Sequence, residues 1–517
     1  MRRTLFWFIS LLVVLMMGLA ACRGAATPAP APEQPQEQAA PVEEAAPAEE
    51  AAPVDTSGVK ELSILWAQWD PADYLQEIGN MYEAETGIKV RVIQEPWGSF
   101  GDLFFTEMSA QGKSYDMVVG DSQWLGQGAT QGHYEDMTEF LTSTGIADTV
   151  TPATLQYYGE YPAGSGRYWG YPTEGDANGW AYRKDLFENP DEQAAFKAEY
   201  GYDLAPPETY AQLLDIAKFF TRPEQNLYGV AIYTQADYDA LTMGVQNTMF
   251  SFGGDWADAN NNALGVVNSP QNVAAVELYK ELYDCCQAPG LSNAFFVETN
   301  DAFIGGQVAM AMNYFAFFPA LANPEVNPYA ADTGFFVNPA GPDGDQYAAL
   351  GGQGMSIISY ISPERQQAAK DFIQWFAQEE IQAEWADLGG YTCNSKVLQS
   401  QEFLDATPFN PAFAETMTFV KDFWNIPIYG ELLRVSQTEL GNYVIGGQGT
   451  AQAALDRIAE QHQKLLEDGG FVTTGGAAMV EEAAPMGELP PPPAGVTELS
   501  ILWAQWDPAD YLQEIGN

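Results

Sequence analysis

From Glu61 onward the chain repeats one unit: a short apolar run, a stretch with apolar residues at helical spacing, then another apolar run. Glu61–Trp66 reads as a buried strand, and Asp73–Glu85 carries Tyr74, Leu75, Ile78, Met81 and Tyr82 on one helical face. Gly87 stops that helix, and Ile88–Ile93 alternates as a second strand. A helix near Phe100–Gln111 and the apolar strand Tyr115–Val119 follow. Parallel strands need a crossover between them, so this succession predicts an α/β lobe built on a parallel sheet. Further helices are expected at 209–220, 272–282, 363–379 and 448–466. The span from Gly58 to about Gly475 suffices for two such lobes at roughly one to two hundred residues each. Ligands of open parallel sheets sit at the carboxyl ends of the strands, which predicts a cleft there.

The ends of the chain are of another kind. Arg2 and Arg3 precede an apolar run from Leu5 to Leu19, the pattern of an export signal rather than of a mature membrane span. The run closes Leu19-Ala20-Ala21-Cys22, which resembles the bacterial lipobox, so Cys22 is the expected lipidation site. Residues 23–57 are Ala, Pro, Glu and Gln with almost no large apolar side chain, and read as a disordered tether. A second linker of like composition covers 476–497. Residues 495–517 then repeat 58–80 with 22 of 23 positions identical, so 498–517 reads as a truncated repeat of the first strand and helix.

Charge and residue counts narrow the function. Seventy Asp and Glu against 21 Lys and Arg give a formal charge of −49, which repels phosphate backbones and argues against nucleic-acid binding. Two histidines, His133 and His462, stand too far apart in sequence to suggest a metal cluster, and no cofactor is expected. Outside a cell, the three remaining cysteines permit one disulfide. The pairing expected here joins Cys286 to Cys393, with a vicinal Cys285–Cys286 bond as the alternative.

Five passages in order resemble the extracellular solute-binding lipoproteins of ABC transporters, in the carbohydrate-binding branch related to maltose-binding protein. They are Trp66-Ala67-Gln68-Trp69-Asp70 after the first strand, Tyr82–Val90, Tyr115–Trp124, Trp169–Phe187, and Phe303–Met310. The resemblance implies two α/β lobes joined by crossing strands, a ligand cleft and a hinge. It places lobe 1 at 58–172 and 350–400 and lobe 2 at 173–349 and 401–475. It also implies a non-enzymatic, monomeric protein outside the cytoplasm, lipid-anchored to the outer face of the bacterial cell membrane or periplasmic, with ABC permease subunits as partners.

The loops after strands set Trp beside carboxylates and carboxamides. The candidate ligand-binding residues are Trp66, Gln68, Trp69 and Asp70 after the first strand, and Glu95 and Trp97 after the second. Asp121, Gln123 and Trp124 follow the third, and Glu174, Asp176, Asn178 and Trp180 lie at the first crossing. Asn313, Tyr314 and Phe317 come later, and Gly352 sits in a Gly-rich turn that lets backbone approach ligand or hinge. Flat rings cover the apolar faces of a sugar while Asp, Glu, Asn and Gln meet its hydroxyl rim. Structural roles compete: Trp66 fits a core equally well, Asp70 before Pro71 fits a helix cap, and Glu174 and Asp176 fit a turn. Trp375 and Trp385 are assigned to the core, and Asp258–Asn262 to a turn rather than a calcium loop. The leading function is delivery of a neutral mono- or oligosaccharide to a permease. A polyamine or other cationic solute is the alternative ligand, and a two-carboxylate glycoside-acting enzyme the alternative class.

Overall fold

The computed structural model describes residues 54–472 apart from 237 and 238. The export signal with Cys22, nearly all of the tether, the linker 476–497 and the repeat 498–517 lie outside the described residues. In chain order the strands are β1 (Glu61–Ala67), β2 (Lys89–Glu95), β3 (Met117–Asp121), β4 (Tyr171–Glu174), β5 (Asn178–Arg183) and β6 (Tyr228–Ala231). There follow β7 (Val308–Tyr314), β8 (Thr333–Phe336), β9 (Ala348–Ala349), β10 (Gln353–Ile357) and β11 (Val420–Lys421).

The first sheet has the order β2-β1-β3-β10-β4. β1 pairs in parallel with β2 and β3, whereas β10 runs antiparallel to both β3 and β4. β1, β2, β3 and β4 therefore end at the same edge. Leu62 through Ala67 are buried without alternation, as expected for a strand covered on both faces. The helix Asp70–Thr86 has Pro71 in its first turn and ends at Gly87, whose φ of 77° supplies the left-handed cap. It buries Leu75, Ile78 and Tyr82. Gly79 lets it lie close to the sheet, because a Cβ there would stand 2.9 Å from Val90 Cβ. The expected helix 363–379 is Pro363–Phe376, and a second helix, Glu379–Leu388, follows after Ala377 and Gln378.

The second sheet has the order β6-β7-β5-β8. Here the two-residue strand period is visible in the packing: Val230, Met310 and Trp180 join one core cluster, while Ala231, Ala311 and Ala181 join the other. The segment 401–420 packs on the latter face, where Phe409 meets Phe318 and Phe335, and Phe413 meets both Phe315 and Tyr391.

Three connections join the two sheets. Gly175–Ala177 runs from β4 to β5, β9 leads into β10, and β11 pairs in parallel with β9 through Val420↔Ala348 and Lys421↔Ala349. At the second connection a Cβ on Gly352 would stand 2.1 Å from the Glu174 carbonyl oxygen and 2.3 Å from the Tyr158 hydroxyl, so only glycine allows the crossings to lie this close.

The disulfide expected between Cys286 and Cys393 is not formed. Cys285 is bonded to Cys286 at the end of the helix Pro270–Cys286, and Cys393 is a buried free thiol. Cys286 packs in the second core cluster and Cys393 in the first, so the two side chains serve different interiors.

One ion pair with a buried carboxylate fastens the first lobe. Asp116, 1% exposed, accepts from the Ser63 amide at 2.7 Å and from Arg365 Nε and Nη2, each at 2.5 Å. Arg365 also donates to the Glu61 carbonyl oxygen at 3.0 Å.

Candidate ligand-binding cleft

Register places the first group of polar residues. Gln353 at the start of β10 lies opposite Asp121 on one side and Glu174 on the other. Residues directly opposite one another on neighbouring strands share a face, so Asp121, Gln353 and Glu174 form one row at the strand ends. The Trp66 indole N–H donates to Gln353 Oε1 and fixes the middle of the row. Gln123 donates to Asp121 Oδ2 at 3.1 Å while its own buried Oε1 is without a partner.

The crossings supply more carboxylates. Asp176 accepts from the amides of Ala177 at 2.8 Å and Ala316 at 3.2 Å, which ties the first crossing to the turn after β7. Asp422, just past β11, accepts from the Ser122 hydroxyl at 2.7 Å and from the Phe423 amide at 2.8 Å. Asp239 opens the fully buried helix Ala240–Ser251. Glu174 is 0% exposed and neither carboxyl oxygen has a hydrogen-bond partner; Asp239 is 6% exposed with Oδ1 likewise unmatched.

Burial raises the pKa of this whole group, and repulsion adds to it at Glu174, Asp239 and Asp422. Burial, then Asp176 and Asp121, push Glu174 well above the usual carboxylate range. Burial, then Asp121, does the same to Asp239. Asp422 is pushed up to about 7 by burial, with Asp121 adding and its two hydrogen bonds opposing. Burial raises Asp176 against three backbone hydrogen bonds. Asp121 thus bears on Glu174, Asp239 and Asp422 together.

The aromatic residues divide. Trp69 is half-buried, meets Trp66 and Trp97 edge-on with centroids at 5.6 and 5.4 Å, and keeps a buried, unpartnered Nε1. Trp97 is 37% exposed, and Gln68, Asp70 and the half-buried Glu95 lie around the same strand ends. Trp124 stacks on Phe104 at 5.5 Å and 7°, with Phe100 and Phe105 around it, so one of its ring faces belongs to the lobe. Tyr314 closes β7 and is buried in the second core cluster; burial, then Asp239 and further neighbours including Asp176 and Asp121, pushes its hydroxyl well above the usual range.

Three sequence expectations need correction. Trp180 is 1% exposed, stacks on Phe336 and donates to Asn338 at 2.7 Å; two residues into β5, it is core rather than platform. Trp66 is fully buried against Trp385. Asn313 donates to Phe296 O and Asn300 Oδ1 and accepts from the Tyr233 hydroxyl at 2.6 Å, so its bonding capacity is taken within the lobe. Phe317 lies flat on Phe296 at 4.2 Å, and Asn178 accepts from Asn247 while its Nδ2 stays unmatched. Two residues were missed, Asp239 and Asp422. Both carry the signal used elsewhere, a carboxylate among aromatics and an amide: Lys421-Asp422-Phe423-Trp424-Asn425 and Tyr233-Thr234-Gln235-Ala236-Asp237-Tyr238-Asp239.

Comparison with known proteins agrees with this architecture. Residues 68–383 match the model of the bacterial extracellular solute-binding proteins. The chain belongs to that family. A probable ABC transporter-binding protein of Deinococcus radiodurans is 23% identical to this solute-binding protein over 352 residues, covering 67% of the chain and 79% of the relative. Among solved structures, an ABC transporter solute-binding protein of Agrobacterium radiobacter in complex with ribitol is 25% identical with a TM-score of 0.66, covering 80% of this chain and all of that one. Maltose-bound MalE3 of T. maritima gives a TM-score of 0.67 at 24% identity, over 78% of this chain and all of that one. The solute-binding protein therefore has the two-lobed α/β fold of that family, with the cleft between its lobes.

Proposed function

We propose that this solute-binding protein captures a carbohydrate or polyol in the cleft and delivers it to the permease of an ABC transporter, without chemical change to the ligand. The observation that carries the reading is the row Asp121–Gln353–Glu174 beside Trp69, Trp97 and Tyr314: hydrogen-bonding groups at one level, flat rings beside them. The ribitol and maltose complexes of its structural relatives support the same ligand class. Titration calorimetry against a panel of sugars and polyols tests it; saturable heat with one-to-one stoichiometry is expected, with no new reducing ends after incubation with oligosaccharides. Failure of every polyhydroxylated ligand to bind would end this reading.

The sequence expectation of a neutral sugar rests on the rings and carboxamides, whereas the buried carboxylates favour a ligand with positive charge. The lipid anchor at Cys22 and the monomeric state belong to the same proposal. Cys22→Ser should release the processed protein from membranes, and sedimentation should return the mass of one chain.

A further inference from the structure

The cleft holds carboxylates that the protein itself does not neutralise. None of the ion pairs among the described residues includes Glu174, Asp176, Asp239 or Asp422. Lys421 adjoins Asp422 in sequence but is turned away, with Nζ 2.7 Å from Asp255 and its ammonium over the Phe250 ring. Two groups point to a missing partner directly: both oxygens of Glu174 and Oδ1 of Asp239 are buried and unmatched. A buried carboxylate left so is costly unless it takes up a proton or a cation or a set of hydrogen bonds arrives. A metal ion does not meet the need, since among the described residues no three His, Cys, Asp or Glu are grouped to hold one. An organic ammonium differs from a metal: it carries its charge on a larger body, is satisfied by carboxylates spread around it, and tolerates aromatic faces nearby.

Resting on the carbohydrate reading of the cleft, we infer that the ligand is a sugar or polyol bearing a protonated amine, its ammonium group lying between Glu174 and the Asp239 side of the cleft. The hydroxyls then meet Gln123, Asn178 and Trp69, each of which keeps a buried polar atom without a partner. The raised proton affinity of the carboxyl groups follows from the same arrangement, and an arriving ammonium would lower it again.

The test is calorimetry near neutral pH with matched pairs: ribitol against 1-amino-1-deoxyribitol, and D-glucose against D-glucosamine and N-acetyl-D-glucosamine, with spermidine as a cation lacking hydroxyls. The amine should bind roughly tenfold or more tighter than its neutral parent and than its acetylated form. Glu174→Gln and Asp239→Asn should each shrink that ratio several-fold. Thermal melts of both variants check that they fold, and the two stand in for each other should one fail. A neutral parent that binds as tightly as its amine overturns the inference and leaves the carbohydrate reading intact. Binding of spermidine alone overturns both. Absence of binding by every amine-bearing member overturns the inference as well.

Discussion

Asp116 and Glu174 are both carboxylates of the first sheet region, 1% and 0% exposed, yet they are provided for in opposite ways. Asp116 is met by two guanidinium nitrogens and by the amide and hydroxyl of Ser63. No group donates a hydrogen bond to Glu174, and the acids Asp176 and Asp121 bear on it. The chain has only 21 Lys and Arg for 70 acids, so an arginine on the helix Pro363–Phe376 is a scarce resource placed where the fold needs it. A carboxylate that serves the fold has its counter-charge built in. One whose counter-charge is absent is held for something that comes from outside.

The strongest way to break this contrast is to make Asp116 resemble Glu174. Arg365→Leu strands a buried carboxylate and should destabilise the protein by about 3 kcal/mol, the low end of the range for buried pairs because Arg365 is 39% exposed. Urea denaturation measures it, and a loss near zero would show that Asp116 does not depend on its partner.

The next effect is the pH dependence of the ligand-free protein. Asp422 titrates near 3.8 when unfolded and at about 7 when folded, and Glu174 and Asp239 are shifted in the same direction. Between those values the folded chain binds more protons than the unfolded one, so stability falls as pH rises through that window. The melting temperature should be several degrees higher at pH 5.5 than at pH 8. A curve rising with pH across that interval would mean that these groups are ionised and satisfied in the absence of ligand.

Removing one cleft charge should do the reverse of Arg365→Leu. Asp239→Asn keeps the shape, discards a buried carboxylate and should stabilise the ligand-free protein by about 1–2 kcal/mol at pH 8, with little effect at pH 5. Destabilisation at both pH values would show that Asp239 serves the fold. The baseline is an exposed pair: Lys218→Ala, which breaks the 2.6 Å contact with Glu281, should change stability by no more than about 0.5 kcal/mol.

Much of the architecture was legible because apolar period is a property of neighbouring residues. Glu61–Trp66 and Ile88–Ile93 fall on β1 and β2, and Tyr210–Phe220 fills the expected helix. The cleft was legible only where a strand end announced it, as at Asp121 and Trp69. Trp180 deceived because a Trp two residues into a strand has the same composition around it as one at the strand's edge. Asn313 deceived because its partners, Tyr233, Phe296 and Asn300, are brought to it by other elements. Asp239 escaped because its unmatched Oδ1 exists only after folding, and Asp422 because β11 before it is only two residues long and offers no apolar run to mark a strand end.

The placement of β10 between β3 and β4 has a consequence for how the molecule is made. The Trp66–Gln353 contact joins residues 287 apart, and the strand that completes the middle of the first sheet follows all four strands of the second sheet in the chain. A polypeptide emerging from its N-terminus first cannot finish the first sheet until Gln353–Ile357 arrives, so its early strands wait with open edges. Late closure makes the segment around Gly352 the point at which the first sheet is completed, because β10 seals β3 and β4 together there.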